Sequence, residues 1–210
     1  MNVFKAVFAT VALAAIIPAH ANLLIDGGFE LPAIANGSYI TASSIPGWTG
    51  TPNIEVQNHV AGSPFEGNQF VELDTDANSS MFQDFATVRG VAYTIHFDYS
   101  PRPGVSAASN GIELFWDDTL LAIVAMNGIG LGDTAWTGFD LTTVADGPVS
   151  RISFAAFGTS DGLGGYLDDV SVTAIPEPGT VEIFGLGLVM LAMLGGTRRR
   201  EPAASFGPSF

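Results

Sequence analysis

The feature that most constrains this chain is a period-two alternation that recurs through its middle, with no convincing 3.6-residue period beside it. In Val91-Ala92-Tyr93-Thr94-Ile95-His96-Phe97-Asp98-Tyr99 every odd position is apolar and every even one is small or polar. Successive side chains of a strand point to opposite faces, so the stretch predicts a half-buried β-strand. The same reading applies to Asn53–Gln57, Gln69–Leu73, Ser80–Phe85, Gly111–Trp116, Thr119–Ala125, Trp136–Thr143, Arg151–Phe157 and Gly165–Thr173. Turn chemistry separates them: Asp26-Gly27-Gly28, Asn36-Gly37, Pro46-Gly47, Pro103-Gly104, Asn110-Gly111, Asp146-Gly147-Pro148 and Asp161-Gly162. Asp117-Asp118, between two apolar runs, predicts a tight hairpin. About nine strands and no helix predict an all-β, antiparallel sandwich of jelly-roll type. Residues 31–52 read as a long Gly/Pro/Ser-rich loop.

The two ends carry a different pattern. Lys5 precedes a mostly apolar run, Ala6 to Ile17, which closes on Pro18-Ala19-His20-Ala21. A positive start, a short apolar core and small residues at Ala19 and Ala21 predict a secretory signal peptide over 1–21, cut by signal peptidase. At the other end Pro176-Glu177-Pro178 is followed by 17 residues, Val181 to Thr197, and then by Arg198-Arg199-Arg200. That length is at the lower limit for a spanning helix, and the arginines mark its cytoplasmic side. The expected organisation is a signal peptide at 1–21, a β-sandwich at 22–175, a sorting segment at 176–200 with a transmembrane helix at about 181–197, and a short cytoplasmic tail at 201–210.

Composition narrows the function classes. Lys and Arg number 7 against 21 Asp and Glu, with a net charge of −14, and only Arg89, Arg102 and Arg151 lie between the end segments. A phosphate backbone needs cations in number, which excludes a polybasic nucleic-acid binder. With no Cys there is no disulfide framework, thiolate metal site or Cys nucleophile. No G-x-S-x-G or H-E-x-x-H occurs, and Glu113 and Asp117 on one strand lie about 13 Å apart, too far for a glycosidase pair by themselves. A non-catalytic protein is expected.

Two resemblances follow from these residues. Pro-Glu-Pro, a short apolar helix and an Arg cluster, in that order, resemble a PEP-CTERM sorting signal. The likeness implies a Gram-negative bacterium, an inner-membrane intermediate, processing by an exosortase-type membrane protease, and delivery to the cell surface or extracellular matrix. The middle of the chain opens Asn22-Leu23-Leu24-Ile25-Asp26-Gly27-Gly28-Phe29-Glu30, continues to Pro46-Gly47-Trp48, and closes Gly165-Tyr166-Leu167-Asp168-Asp169-Val170-Ser171-Val172. These segments resemble the galactose-binding-like jelly rolls, carbohydrate-binding modules among them. That resemblance implies that the first and last strands lie side by side, with a structural Ca²⁺ held there by Asp26, Gly28, Glu30 and Asp168. Calcium takes six to eight oxygens, which carboxylates and the carbonyls of a Gly-Gly turn supply. By alternation Asp168 shares the parity of Val170 and Val172 and is expected to point into the core. The alternative is that it only accepts backbone N–H bonds. Asp169 is expected to face out.

A sugar ring stacks on an aromatic face while polar groups meet its hydroxyls. Tyr39, Trp48, His59 and Phe65, in or beside the 31–68 segment, are the candidate ligand-binding residues, with extracellular polysaccharide as the partner. For Trp48 burial beneath the loop is the competing reading. A secreted polysaccharide-active enzyme and a purely structural biofilm-matrix protein are the alternative functions.

Overall fold

In the computed structural model, residues 21–176 are described. They form ten antiparallel strands: β1 (Ser38–Ile45), β2 (Trp48–Asn58), β3 (Phe70–Glu72), β4 (Ser80–Ala86), β5 (Ala92–Ser100), β6 (Gly111–Trp116), β7 (Thr119–Val124), β8 (Thr137–Val144), β9 (Val149–Phe157) and β10 (Tyr166–Ala174). Among the described residues there is no helix, and so none that could cross a membrane. The segment expected to span, about 181–197, lies outside them, as do Ala19, Glu177, Pro178 and Arg198–Arg200; Ala21 and Pro176 are exposed.

The hydrogen-bonded order is β7-β6-β9-β4-β2-β3-β10-β5-β8, with β1 on the side of β2. β2 joins the two layers: Thr49–Thr51 pair with β4, whereas Glu55–Gln57 pair with β3. One sheet is therefore β7-β6-β9-β4 and the other β1-β2-β3-β10-β5-β8. Their inner faces meet as an antiparallel sandwich of jelly-roll type. Met81, Ile112, Leu114, Ile152 and Phe154 come from the first sheet and Ile54, Val56, Val71, Ile95, Phe97, Leu167 and Val172 from the second. Phe97 meets Phe154 edge-on across the layers at 5.4 Å, and Tyr93 meets Trp116 at 5.7 Å. The apolar alternation expected in β5 holds on the inner face, where each odd position from Tyr93 to Tyr99 is buried, whereas on the outer face the even positions Asp98 and Ser100 are buried too.

The 31–52 segment is not one loop. Pro46-Gly47 turns a hairpin whose arms are β1 and β2, paired from Ile45–Trp48 to Ser38–Asn58. β1 reads Ser-Tyr-Ile-Thr-Ala-Ser-Ser-Ile, and only Ile40, Ala42 and Ile45 touch the core, so a sparse edge strand resembled a polar loop. Asp117 takes a positive φ at the β6–β7 hairpin, in keeping with the turn expected there.

Candidate binding cleft

The second sheet has an apolar inner face and a polar outer one. Alternation along β2 sends Ile54 and Val56 inward and Glu55 and Gln57 outward. Register extends this row: Glu55 lies opposite Glu72, Glu72 opposite Tyr166, and Tyr166 opposite Ser100. Two like-charged residues directly opposite are unfavourable unless neutralised. Here Glu72 accepts from Arg102 and Gln57 on one oxygen and from the Gly164 N–H on the other, while Glu55 accepts from Thr75 at 2.6 Å. Burial pushes the Glu72 carboxyl up to about 8, against the pull of Arg102. The guanidinium also lies 5.9 Å from the Tyr166 ring centre.

The 59–69 loop between β2 and β3 covers this face and is tied down along its length. Tyr166 donates to the Ala61 carbonyl at 3.0 Å and Trp136 Nε1 to the Ser63 carbonyl at 2.9 Å. The Ser63 N–H and hydroxyl both donate to Asp133 at 2.9 Å. Further along, the Phe65 and Glu66 N–H groups donate to Asp168 Oδ2, and those of Asn68 and Gln69 to Glu30 Oε1. Four rings run outward from the sheet: Tyr166 against Phe70 at 4.8 Å, Phe70 against Trp136 at 5.7 Å, and Trp136 against Phe65 at 6.3 Å. Phe65, the outermost, is 49% exposed. On the same loop His59, Val60, Ala61, Gly62 and Ser63, with Pro103, Gly132 and Asp133, line an open cleft of about 470 Å³.

Of the four residues expected to meet a ligand, three share this side of the molecule. His59 lines the cleft and Phe65 stands on its loop. Tyr39, 57% exposed, is directly opposite the outward Gln57 at the sheet edge. Trp48 does not join them. It is 1% exposed, packs on Phe29 and Phe154, and donates Nε1 to the Asp26 carbonyl, so its ring faces are filled by the core. Sequence reading missed Trp136 as the support of Phe65, and Arg102 and Glu72 as buried partners. The signal for Glu72 was present, because it stands at an alternate position beside Val71, but alternation does not reveal that a loop covers the face.

The N-terminal segment runs beside β10. The Leu23 N–H donates to the Val172 carbonyl and the Val170 N–H to the Gly27 carbonyl. A side chain at Gly27 would collide with the Val170 carbonyl, which explains glycine there. Asp168 is wholly buried but does not point into the core. β10 carries a bulge between Asp168 and Ser171, with Asp169 at φ 45°, and one extra residue reverses the face of everything before it. Asp168 thus stands opposite Asp98 on the polar face, where it accepts three N–H bonds. Burial raises it to about 7 despite those bonds.

For calcium the available oxygens are narrower than the set expected. Asp26 caps its own turn, accepting from the Glu30 and Leu31 N–H groups on its two oxygens. No described donor reaches Glu30 Oε2, and Glu66, beside Gly28, adds a carboxylate whose pKa is raised by burial and then by Asp169, Glu30 and Asp98. Glu66 interacts electrostatically with both Glu30 and Asp168, and carboxylate oxygens suit a hard cation.

No protein-family model matches the chain. Two curated relatives are named multifunctional-autoprocessing repeats-in-toxin, one from Vibrio cholerae (32% identical over 73% of this chain) and one from Vibrio vulnificus (31% over 71%). The chain spans only about 3% of the length of each. Among solved structures it is similar to a family 61 carbohydrate-binding module in complex with β-1,4-galactotriose (18% identity, 74% of this chain and 99% of that one, TM-score 0.49). It is also similar to a family 16 carbohydrate-binding module (12%, 72% and 99%, TM-score 0.48) and to the K1 cleaved adhesin domain of Lys-gingipain from Porphyromonas gingivalis (12%, 66% and 99%, TM-score 0.49).

Proposed function

We propose that this is an exported, non-catalytic carbohydrate-binding protein that holds polysaccharide on the outer face of its second sheet. The observation that carries the reading is Phe65: a half-exposed ring, propped edge-on by Trp136, on the loop that lines the cleft with His59, Ser63 and Asp133. An aromatic face beside neutral and anionic hydrogen-bonding groups suits a sugar ring with its hydroxyls. The acidic surface disfavours polyanions and leaves neutral polysaccharide as the class that fits. Export by a signal peptide, retention in the inner membrane and release by an exosortase-type protease belong to the same proposal, motivated by Ala19–Ala21, Pro176–Pro178 and Arg198–Arg200.

The test is retardation of the full-length protein in gels cast with neutral polysaccharides. At least one should retard the wild type, Phe65→Ala should abolish the effect, and Tyr39→Ala should weaken it. Equal retardation of wild type and Phe65→Ala by every polysaccharide overturns the site.

A structural Ca²⁺ held by Glu30, Glu66, Asp168 and the Gly28 carbonyl completes the proposal; when bound it would let these acids stay ionised together and join the first segment to the last strand. Binding to the native state alone stabilises by about 2.7 kcal/mol at a hundredfold excess over Kd. Metal-free protein should therefore gain several degrees in Tm on adding Ca²⁺, and Glu30→Gln should lose that gain. An unchanged Tm contradicts it.

A further inference from the structure

We propose that His96, Asp98 and Asp169 bind one divalent transition-metal ion of the zinc class, at a site separate from the carboxylates around Glu30. Three neighbouring strands build it. On β5, His96 and Asp98 are two apart and so share the outer face; β8 places Asp140 opposite His96 and Gly138 opposite Asp98. On the other side, the β10 bulge that turns Asp168 toward the loop leaves Asp169 with its carboxylate toward the imidazole.

The geometry is that of a small-ion site. His96 Nε2 is 3.1 Å from Asp98 Oδ2 and 3.8 Å from Asp169 Oδ2, and the three ligand atoms lie within 4.8 Å of one another. Ligands around a tetrahedral ion with bonds of about 2.0–2.1 Å stand roughly 3.3–3.4 Å apart, between the two separations seen. Asp140 faces the other ring nitrogen, Nδ1, at 2.9 Å. A carboxylate on the second nitrogen fixes a proton there and orients Nε2 as a ligand, once the metal takes the place of the Nε2 proton. A side chain at Gly138 would sit 3.3 Å from the His96 ring, so the glycine keeps the face open over the pair.

Charge gives the independent reason for a cation. The Asp98 side chain is 3% exposed, and no described donor outside the cluster reaches it. No described Lys or Arg pairs with it; Arg102 and Arg151 are engaged with Glu72 and Asp84. Glu66 and Asp169 add negative charge around it. A buried carboxylate needs a compensating charge, and a metal ion meets three of these groups at once. Imidazole with carboxylates selects zinc-class ions over calcium, and three protein ligands leave a position for water.

The test uses metal-free, full-length protein titrated with Zn²⁺ by calorimetry and with Co²⁺ by visible absorption. The wild type should bind one Zn²⁺ per chain and give the intense bands of four-coordinate Co²⁺. His96→Gln and Asp169→Asn should remove both signals, and Asp140→Asn should weaken Zn²⁺ binding roughly 10–100-fold. Asp169 is partly exposed, so its variant keeps the test intact if a change at buried Asp98 prevents folding; circular dichroism confirms the fold of each. Glu30→Gln should bind Zn²⁺ as the wild type does. No stoichiometric binding by the wild type, or binding that survives His96→Gln and Asp169→Asn, overturns the site, as does binding lost in Glu30→Gln alone.

Discussion

On the outer face of the β7-β6-β9-β4 sheet, Arg151 and Asp84 form a bidentate pair whose side chains are 45% and 47% exposed, with the guanidinium 3.7 Å from the Phe82 ring centre. On the outer face of the other sheet, Arg102 meets Glu72, whose side chain is wholly buried. The same two groups give opposite electrostatics. Arg151 holds the Asp84 carboxyl below its usual range, whereas burial lifts Glu72 to about 8 although an arginine touches it. Water solvates the first pair, and the 59–69 loop and its neighbours exclude water from the second. A sheet face that buries acids at this cost has a covering structure to support, and the loop that covers it also carries the exposed Phe65 ring and the cleft.

The largest effect that tests this contrast concerns the aromatics. Trp48→Ala should cost about 3–5 kcal/mol, because it empties a filled core site, and Phe65→Ala should leave thermal unfolding nearly unchanged. If Phe65→Ala destabilises as much as Trp48→Ala, the ring is a packing element and the loop has no free aromatic. Next come the arginines. Arg102→Ala should cost about 1–3 kcal/mol in urea unfolding, by leaving the buried Glu72 carboxyl without its hydrogen-bond partner. Arg151→Ala should cost less than about 1 kcal/mol. Equal losses would erase the distinction between the faces.

The third effect is smaller and depends on pH. Glu72 binds its proton more tightly folded than unfolded, so its contribution declines as pH rises from its ordinary value near 4.5 through about 8. The value near 8 already includes the pull of Arg102. Glu72→Gln should flatten most of the fall in stability that Glu72 causes between pH 5 and pH 8. An unchanged slope would mean that Glu72 is ionised and well solvated throughout.

Much of the fold was legible because one rule governs it. In β5 the apolar alternation reads directly as inside and outside, and in β2 the rule sorts Val56 from Gln57. It failed at two kinds of place. β1 offers the core only three modest side chains, so its Ser and Thr residues look like loop. In β10 a single bulged residue, Asp169, reverses parity, so counting from Val172 puts Asp168 on the wrong face. The site was legible only in part for a related reason. His59 and Phe65 stand out as polar-loop residues with ring faces, but Trp136, Arg102 and Glu72 gain their roles from contacts between segments far apart in sequence. Trp48 shows the converse, since a tryptophan after Pro-Gly in a polar stretch fits a rim as well as the core, where burial under the loop is the commoner case.

The most direct measurement is amide hydrogen exchange on the full-length protein, with and without the polysaccharide that retards it most. Protection should appear in residues 59–69 and 131–136 and on the exposed edge around Tyr39, while exchange around Asp84 and Arg151 stays as it was. Protection confined to the β4–β9 face, or absent from the 59–69 loop, would contradict the assignment of binding to the covered face of the second sheet.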